Sequence, residues 1–388
     1  MITVERETTF DAAEFATRRA RVRSLMAERG IDTLVLHSPS NIFYVSGYYT
    51  LNLWDYQCLI LPMTGQPVML IWHFEEGRFA ATAVDTALQM FGGGADPVAE
   101  TRAALDRSGL LKGRIGLEKD CSYLTANQYE RLRDAFVPAA TADGSGIVDK
   151  ARIIKSPAEL AYIRRAGKAT DAAMRAGFDA IDEGVADSDV AAAIIAELVR
   201  QGTQNFAIYP MVAAGARSGV PHHSHEGVRI ERGKPVFLEF SPSIRWYQAP
   251  LMRAAIVGEA PDLVRRVADT GAAALDAMCA AMKPGVPAAQ VAEAGRAVVD
   301  TIKDQIHFHY YFAYSVGIAF PPTWLESAEF GILLNNHKPL EPGMVFHFPM
   351  TLRVKGVFGV GQSQTVIVTD TGAEVLSKLP LGLRRCGK

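Results

Sequence analysis

Apolar residues recur along the first part of the chain with two alternating spacings. Residues 12–30 carry them at helical intervals and end at a glycine, and Thr33–Leu36 follows as a short apolar run typical of a buried strand. Residues 38–42, Ser-Pro-Ser-Asn-Ile, have the composition of a turn. The same reasoning predicts strands at 58–62, 68–71 and 114–117 and helices at 97–107 and 124–136. This alternation predicts a small α/β domain.

A second series of elements begins at Ser156. A proline follows this serine and Glu159 stands three residues after it, which is the pattern of a capping box at the start of a helix. We expect that helix at 158–180, a second at 188–202, and a strand-like segment at 206–212. Strands at 236–240 and 251–257 and helices at 262–282 and 288–305 follow, and strands and loops continue from residue 310. We therefore predict two domains, residues 1–152 and 153–388.

Composition limits the partners that this chain can have. Its 388 residues are 49% hydrophobic and 21% charged, with a formal net charge of −2, which describes an ordinary two-domain protein. A phosphate-binding surface needs clustered Lys and Arg, and the densest run is Arg384–Arg385, so we expect no nucleic-acid partner. No apolar stretch is long enough for a membrane span, and residues 1–23 lack the apolar core of a signal peptide. The four cysteines form no CxxC pair, and we expect a cytoplasmic protein.

Six short stretches carry a resemblance that covers nearly the whole chain. They lie at 38–47, 114–118, 154–160, 221–222, 340–346 and 368–372. Their order and spacing resemble the creatinase and prolidase family, which also contains methionine aminopeptidase and aminopeptidase P. The resemblance implies a small N-terminal α/β domain followed by a C-terminal α+β domain of the pita-bread fold. It also implies a homodimer.

The metal ligands of that family are mostly missing from this chain. The metallopeptidase members bind two metal ions through two aspartates, a histidine and two glutamates, and the corresponding positions here hold, in order, Glu239, Pro250, Tyr314, Pro349 and Ser363. Each divalent ion needs roughly five or six donors, most of them anionic. A single carboxylate cannot supply them, so we expect no metal and no other cofactor.

The family also has metal-free members, and three segments resemble one of them. Creatinase and ectoine hydrolase cleave carbon–nitrogen bonds in small nitrogenous compounds. Residues 247–253, 314–324 and 346–348 look similar to ectoine hydrolase, whereas a glutamate of creatinase corresponds to Met252. The resemblance therefore implies a metal-independent hydrolase acting on a small-molecule amide or amidine.

Two residues are predicted to be catalytic. Glu239 lies within an apolar strand, where a carboxylate is rarely buried without a partner or a task, and desolvation would raise its pKa and make it a usable base or nucleophile. The alternative for Glu239 is a structural ion pair with Arg253. His222 follows a proline in a loop, at the position of the creatinase histidine, and an imidazole can move a proton to a departing amine.

Five further residues of the second domain are predicted to bind substrate. Tyr314 offers a phenol that can donate a hydrogen bond to a substrate oxygen. Strand alternation places His347 on the same face as Pro349, toward the cavity, although a hydrogen-bonded core histidine is the alternative. The remaining three candidates are Met252, Gln362 and Phe206.

Aromatic residues gather in the first domain. Tyr44, Tyr48, Tyr49, Trp54 and Tyr56 fall within a short loop-like stretch. In creatinase-like proteins this domain reaches over the active site of the partner subunit, and aromatic walls suit a cationic or planar substrate. Tyr48 and Trp54 are the candidates for that role, and packing beneath the sheet is the alternative.

Other functions remain open at this point. A metal-dependent Xaa-Pro aminopeptidase or prolidase would contain bound metal and lose activity under chelation. A lyase would use the buried carboxylate to abstract a proton beside a carbonyl group. A non-catalytic member would use the same cavity only to bind a ligand, since fold alone does not secure catalysis.

Overall fold

The chain folds into two compact units that divide between Arg152 and Ile153. A computed structural model describes residues 4–387. Within those residues, no helix has both the length and the apolar character needed to cross a bilayer.

The first unit is built on one six-stranded sheet with the strand order β4-β3-β2-β1-β5-β6. Strand β1 pairs antiparallel with β2 and parallel with β5, so the sheet is mixed. The strands are β1 (Thr33–Leu36), β2 (Cys58–Pro62), β3 (Val68–Trp72), β4 (Ala87–Phe91), β5 (Arg114–Leu117) and β6 (Ala140–Asp143). The helices are α1 (Ala12–Glu28), α2 (Pro39–Ser46), α3 (Glu76–Thr82), α4 (Pro97–Arg107), α5 (Ala126–Ala135) and α6 (Ile147–Arg152). The α/β prediction for this part of the chain is confirmed.

Helix α2 replaces the turn that the sequence predicted at residues 38–42. Its N-cap, Ser38, makes no side-chain capping hydrogen bond. The buried Glu118 caps the segment instead, because its carboxylate accepts hydrogen bonds from the backbone N–H groups of His37 and Ser38 at 2.5 and 2.8 Å and from the Asn41 amide. The turn prediction was wrong because the capping group comes from a distant part of the chain.

The second unit begins with the predicted capping box. The Ser156 hydroxyl accepts a hydrogen bond from the Glu159 N–H at 3.2 Å, and the Ser156 N–H donates to the Glu159 carboxylate at 2.9 Å. The helices are α7 (Pro157–Asp179), α8 (Asp187–Arg200), α9 (Asp262–Ala281) and α10 (Ala288–Val299). The helix predicted at 288–305 ends early, and residues 300–305 continue as a 3₁₀ turn.

Two main sheets and a two-stranded ribbon complete this unit. One sheet has the order β17-β11-β8-β7, the other the order β13-β12-β14-β15-β16, and β9 pairs with β10. The strands are β7 (Met211–Ala214), β8 (Pro235–Phe240), β9 (Ser243–Ile244), β10 (Tyr247–Gln248), β11 (Leu251–Val257), β12 (Ala313–Ser315), β13 (Ser327–Ile332), β14 (Val345–Val354), β15 (Phe358–Thr369), β16 (Gly372–Val375) and β17 (Arg384–Cys386).

Side-chain hydrogen bonds join the two sheets along β11 and β15. The Met252 N–H donates to the Ser363 hydroxyl at 2.6 Å, and the Thr365 hydroxyl donates to the Pro250 carbonyl at 2.8 Å. Apolar residues of α9 and α10 pack on the five-stranded sheet, and those of α7 and α8 pack on the four-stranded sheet. The helices thus cover the outer faces of the sheets, and strands β8, β11, β12 and β14 contribute residues to a shared cavity.

Candidate active site

A cavity of about 430 Å³ lies in the second unit. It is lined by residues of β8, β11, β12 and β14 and by three loops, one following β7, one at residues 307–311 and one between β12 and β13 that contributes Leu325. Glu239, His222, Tyr314 and Met252 all line it, so the structure brings four of the predicted site residues together.

Glu239 presents a carboxyl group without a close partner. It lies on β8 opposite Met252, only 7% of the residue is exposed, and among residues 4–387 no group forms a hydrogen bond or an ion pair with it. Burial raises its pKa to about 8, and the nearby positive charge of Arg353 opposes that rise. Burial therefore favours the neutral form of the group near neutral pH, and a ligand that brings a positive charge would favour the ionised form.

The alternative prediction, an ion pair between Glu239 and Arg253, was wrong. Arg253 pairs with Leu238 in the β8–β11 ladder, which places its side chain on the face opposite to that of Met252. Its guanidinium donates to the carbonyls of Met252, Ser363 and Leu379 at 2.9, 2.6 and 3.1 Å. Arg253 therefore ties the strands to the C-terminal segment.

His222 lies at the rim of the cavity in a conformation that few residues adopt. Its φ angle is +57°, in the left-handed region that favours glycine. The residue is exposed and follows the short 3₁₀ turn at 215–219. A non-glycine residue in this region costs of order 1 kcal/mol or more, and such positions cluster at functional sites. The backbone thus holds an imidazole that solvent and ligand can both reach.

Tyr314 is held by two residues behind the cavity wall. Its hydroxyl accepts a hydrogen bond from the indole N–H of Trp324 at 2.7 Å and lies 2.8 Å from Nδ1 of His347. His347 is fully buried, and burial followed by the charge of Arg253 lowers its pKa to about 3, so the ring is neutral. Within the described part of the chain its Nε2 atom has no hydrogen-bond partner.

These contacts determine where the Tyr314 proton points. A neutral imidazole carries one N–H, and the tautomer with that N–H at Nδ1 is the one that leaves no buried N–H unpaired. The Tyr314 oxygen then accepts from both His347 and Trp324, and its own hydrogen is free to point into the cavity. Tyr314 can therefore donate to a negative charge that develops on a substrate. His347 shares the cavity-facing side of β14 but acts through Tyr314, because it does not itself line the cavity.

Two of the predicted substrate-binding residues of the second unit, Gln362 and Phe206, do not line the cavity. Gln362 pairs with Met350, on the opposite side of β15 from the cavity, and its amide bridges the Ala268 carbonyl and the Gly382 N–H at 2.7 and 2.5 Å. Phe206 packs beside the apolar cluster of α7 and α8 and does not line the cavity. These two placements correct the predictions.

The two aromatic candidates belong to the first unit. Tyr48 is 1% exposed, and its hydroxyl donates to the Glu75 carboxylate at 3.4 Å, so it is a core residue and its predicted contact with substrate is corrected. Trp54, by contrast, is 81% exposed. The aromatic stretch thus divides into buried residues and one large exposed ring.

Sequence reasoning missed five polar residues of the cavity, two of which are Tyr311 and Thr351. Arg353 lies on the same face of β14 as Pro349 and Thr351, a position that strand alternation could have indicated. His307 and His309 come from the loop before β12 and left no pattern in the sequence. Partial burial and the charges of Arg353 and His307 lower the pKa of His309, and its Nδ1 accepts a hydrogen bond from the Tyr311 N–H at 3.0 Å. His309 is therefore a neutral, fixed ring.

The residues at the family's metal-ligand positions do not fit a dinuclear metal centre. Pro250 and Pro349 have no side-chain donor, and the Ser363 hydroxyl already accepts the Met252 N–H. Across residues 4–387 there is no group of three or more His, Cys, Asp or Glu side chains placed to hold a metal ion. The cavity offers instead one carboxyl, three imidazoles, two phenols, a threonine hydroxyl and a guanidinium.

Known proteins share both units of this chain. Residues 18–154 match the creatinase/prolidase N-terminal domain, and residues 161–370 match metallopeptidase family M24. An ectoine hydrolase of Halomonas elongata is 28% identical, over 96% of this chain and 97% of that protein. A Xaa-Pro dipeptidase of Pyrococcus furiosus is 23% identical, over 93% of this chain and 97% of that protein.

Solved structures agree with the fold. Dipeptidase PepE from Mycobacterium ulcerans superposes with a TM-score of 0.83 at 23% identity, covering 98% of this chain and 100% of that one. A prolidase from Thermococcus sibiricus gives 0.85 at 19% identity, covering 97% and 99%. The predicted architecture, a creatinase-type N-terminal domain followed by a pita-bread domain, is confirmed.

Proposed function

The chain belongs to metallopeptidase family M24 and is a hydrolase of carbon–nitrogen bonds, and we propose that it cleaves a non-peptide amide or amidine bond of a small nitrogenous compound without a metal ion. One observation carries the proposal: the buried, partnerless Glu239 carboxyl shares a cavity with His222 while prolines occupy two ligand positions. The similarity to ectoine hydrolase over nearly the whole chain supports it.

The lining residues can supply each part of such a hydrolysis. Glu239 in its ionised form either takes a proton from water as the water oxygen attacks the substrate carbon, or attacks that carbon itself to give an acyl adduct that water then opens. Tyr314 donates a hydrogen bond to the atom on which negative charge develops. His222 delivers a proton to the departing nitrogen as the carbon–nitrogen bond breaks. Water supplies the oxygen of the product, which is an acid from an amide and an amide from an amidine, and the hydrogen of the product amine.

The test combines metal content with turnover. Protein purified without chelator would be measured by plasma mass spectrometry and assayed with ectoine and with creatine, with and without EDTA. We expect substoichiometric metal and turnover that EDTA does not change. Near-stoichiometric manganese, zinc or iron together with EDTA-sensitive cleavage of Xaa-Pro dipeptides would instead identify a metallopeptidase.

Product mass and two variants separate the remaining possibilities. Products whose summed mass exceeds that of the substrate by one water indicate hydrolysis, whereas products without added water indicate a lyase. His222→Ala and Glu239→Gln should each abolish turnover. A wild-type protein that binds these compounds but never turns them over would be a non-catalytic binding protein.

We also propose that the protein works as a homodimer in which Trp54 closes the partner subunit's cavity. The exposed ring of Trp54 on the first unit supports this arrangement, because it is accessible to a partner subunit and tryptophan is enriched at protein interfaces. Mixing inactive Trp54→Ala with inactive His222→Ala protein should restore activity, because one mixed site then contains both native residues. Failure of mixed dimers to regain turnover would refute the shared site.

A further inference from the structure

Arg353 is an unpaired cation inside the candidate active site. It lies near the end of β14, where its backbone pairs with His307, and its side chain lines the cavity. Among the residues that the structure describes, none forms a hydrogen bond or ion pair with its guanidinium, and its Nε atom is buried without a partner. A half-buried guanidinium usually binds carboxylates or carbonyls, so these free donors indicate a missing acceptor.

Glu239 does not supply that acceptor. The two side chains line the same cavity and influence each other electrostatically, but within residues 4–387 no guanidinium nitrogen of Arg353 lies within 4.0 Å of a carboxyl oxygen of Glu239. The Arg353 guanidinium and the Glu239 carboxyl therefore each lack a direct partner in this cavity. A ligand placed between them can contact both.

We propose that this cavity selects a zwitterion, with Arg353 binding the carboxylate of the substrate and Glu239 binding its cationic amidinium. The proposed function supplies the amidinium group of this ligand, since that is the bond proposed to be cleaved. The binding of a zwitterion can nevertheless be tested without any turnover. Arg353 is the specificity-determining residue in this arrangement, and the planar guanidinium suits a carboxylate better than it suits any neutral group.

Binding should also move a proton. An amidinium placed beside Glu239 favours the ionised carboxylate, so the carboxyl proton leaves to solvent or buffer as the ligand enters. The charges then balance, because carboxylate faces guanidinium and amidinium faces carboxylate. The ionised Glu239 is the form that hydrolysis requires.

Calorimetry with two ligands tests the carboxylate contact. The ligands are ectoine, a cyclic amidine with a carboxylate, and 2-methyltetrahydropyrimidine, the same ring without it. We expect the wild-type protein to bind ectoine roughly 10- to 100-fold more tightly, the range typical of a hydrogen bond to a charged group. Arg353→Met should remove this preference without weakening the binding of the second ligand, whereas Arg353→Lys should keep part of the preference.

Control variants and buffers make the result decisive. Arg265→Met removes an exposed arginine from α9 and should bind both ligands as the wild type does. Titrations in buffers of different ionisation enthalpy should detect proton release with ectoine. Equal wild-type affinity for the two ligands, an equal loss of both in Arg353→Met, or binding of neither would overturn the inference.

The same experiment separates this inference from the proposed function. Ectoine that binds through Arg353 but is never hydrolysed would support the zwitterion site and refute the proposed reaction. Hydrolysis with a KM that Arg353→Met leaves unchanged would support the reaction and refute the role of Arg353.

Discussion

Replacing the Glu239 carboxyl by an amide should stabilise the second unit, and the gain should grow as the pH rises. The native structure holds this group in a buried site without a direct partner, whereas water solvates it in the unfolded chain. Gln has the same shape and carries no proton to lose. Glu239→Gln therefore removes an electrostatic cost while leaving the packing of the cavity wall in place.

The size of the effect follows from the displaced pKa. Burial moves the pKa of Glu239 from 4.5 to about 8. At 1.36 kcal/mol for each pH unit, the full displacement corresponds to roughly 5 kcal/mol of free energy of unfolding. Between these two pKa values the unfolded chain has lost a proton that the native protein keeps, so the wild type loses stability as the pH rises. The amide variant escapes that loss.

Urea denaturation of both proteins over a range of pH provides the assay. From about pH 5 to about pH 8 the stability of Glu239→Gln relative to wild type should increase by roughly 3 kcal/mol. Glu341→Gln, which changes an exposed carboxyl of the same unit, is the matched control and should show no such increase. A difference between Glu239→Gln and wild type that stays constant across this range would refute the assignment of a desolvated, partnerless carboxyl.

Three further substitutions test other contacts. His222→Gly should keep or raise the thermal midpoint, because glycine removes about 1 kcal/mol of backbone strain. The same variant should lower turnover at least about 100-fold. Retained turnover would exclude a proton-transfer role for His222. Tyr314→Phe should lower the free energy of unfolding by about 1–3 kcal/mol for each N–H left unpaired on Trp324 and His347, as measured by denaturation. It should also lower kcat about 100-fold in steady-state kinetics. An unchanged kcat would mean that the phenol does not face the substrate. Lys155→Met should lower the free energy of unfolding in urea by about 3–5 kcal/mol, because the buried Glu326 carboxylate loses the cation that faces it. Adding Glu326→Leu should recover most of that stability. A double variant as unstable as Lys155→Met would show that the unbalanced carboxylate is not the cause.

Local patterns were enough to predict most of the elements. The strand Thr33–Leu36, the helix Pro97–Arg107 and the strand Leu251–Val257 lie where the apolar spacing put them, and the box at Ser156 starts α7 as expected. Helix α2 was missed because its cap, Glu118, is some eighty residues away in the chain. Interactions at such separations leave no local pattern.

The site was predictable only where a position could be matched to a strand. Glu239 and Tyr314 were found because each stands in a strand at a family ligand position, and both line the cavity. The prediction that Gln362 binds substrate was wrong by one residue. Neighbouring side chains of a strand face opposite ways, and the side chain of Ser363 is the one that points toward β11. His307 and His309 depend on the path of a loop, which alternation cannot predict.

The hydrogen bonds that join the two sheets also determine what a substitution at positions 250 and 363 would do to stability. Ser363 and the Pro250 carbonyl, at two of the positions that the family resemblance assigns to metal ligands, hold β11 and β15 together. A carboxylate in place of Ser363 would remove the hydroxyl that accepts the Met252 N–H, whereas one in place of Pro250 would keep the backbone carbonyl link, and either would bury an additional charge. Either substitution should therefore lower the stability of the second unit. Substrate preference is thus better altered through the residues that line the cavity around Glu239 than by rebuilding a metal centre.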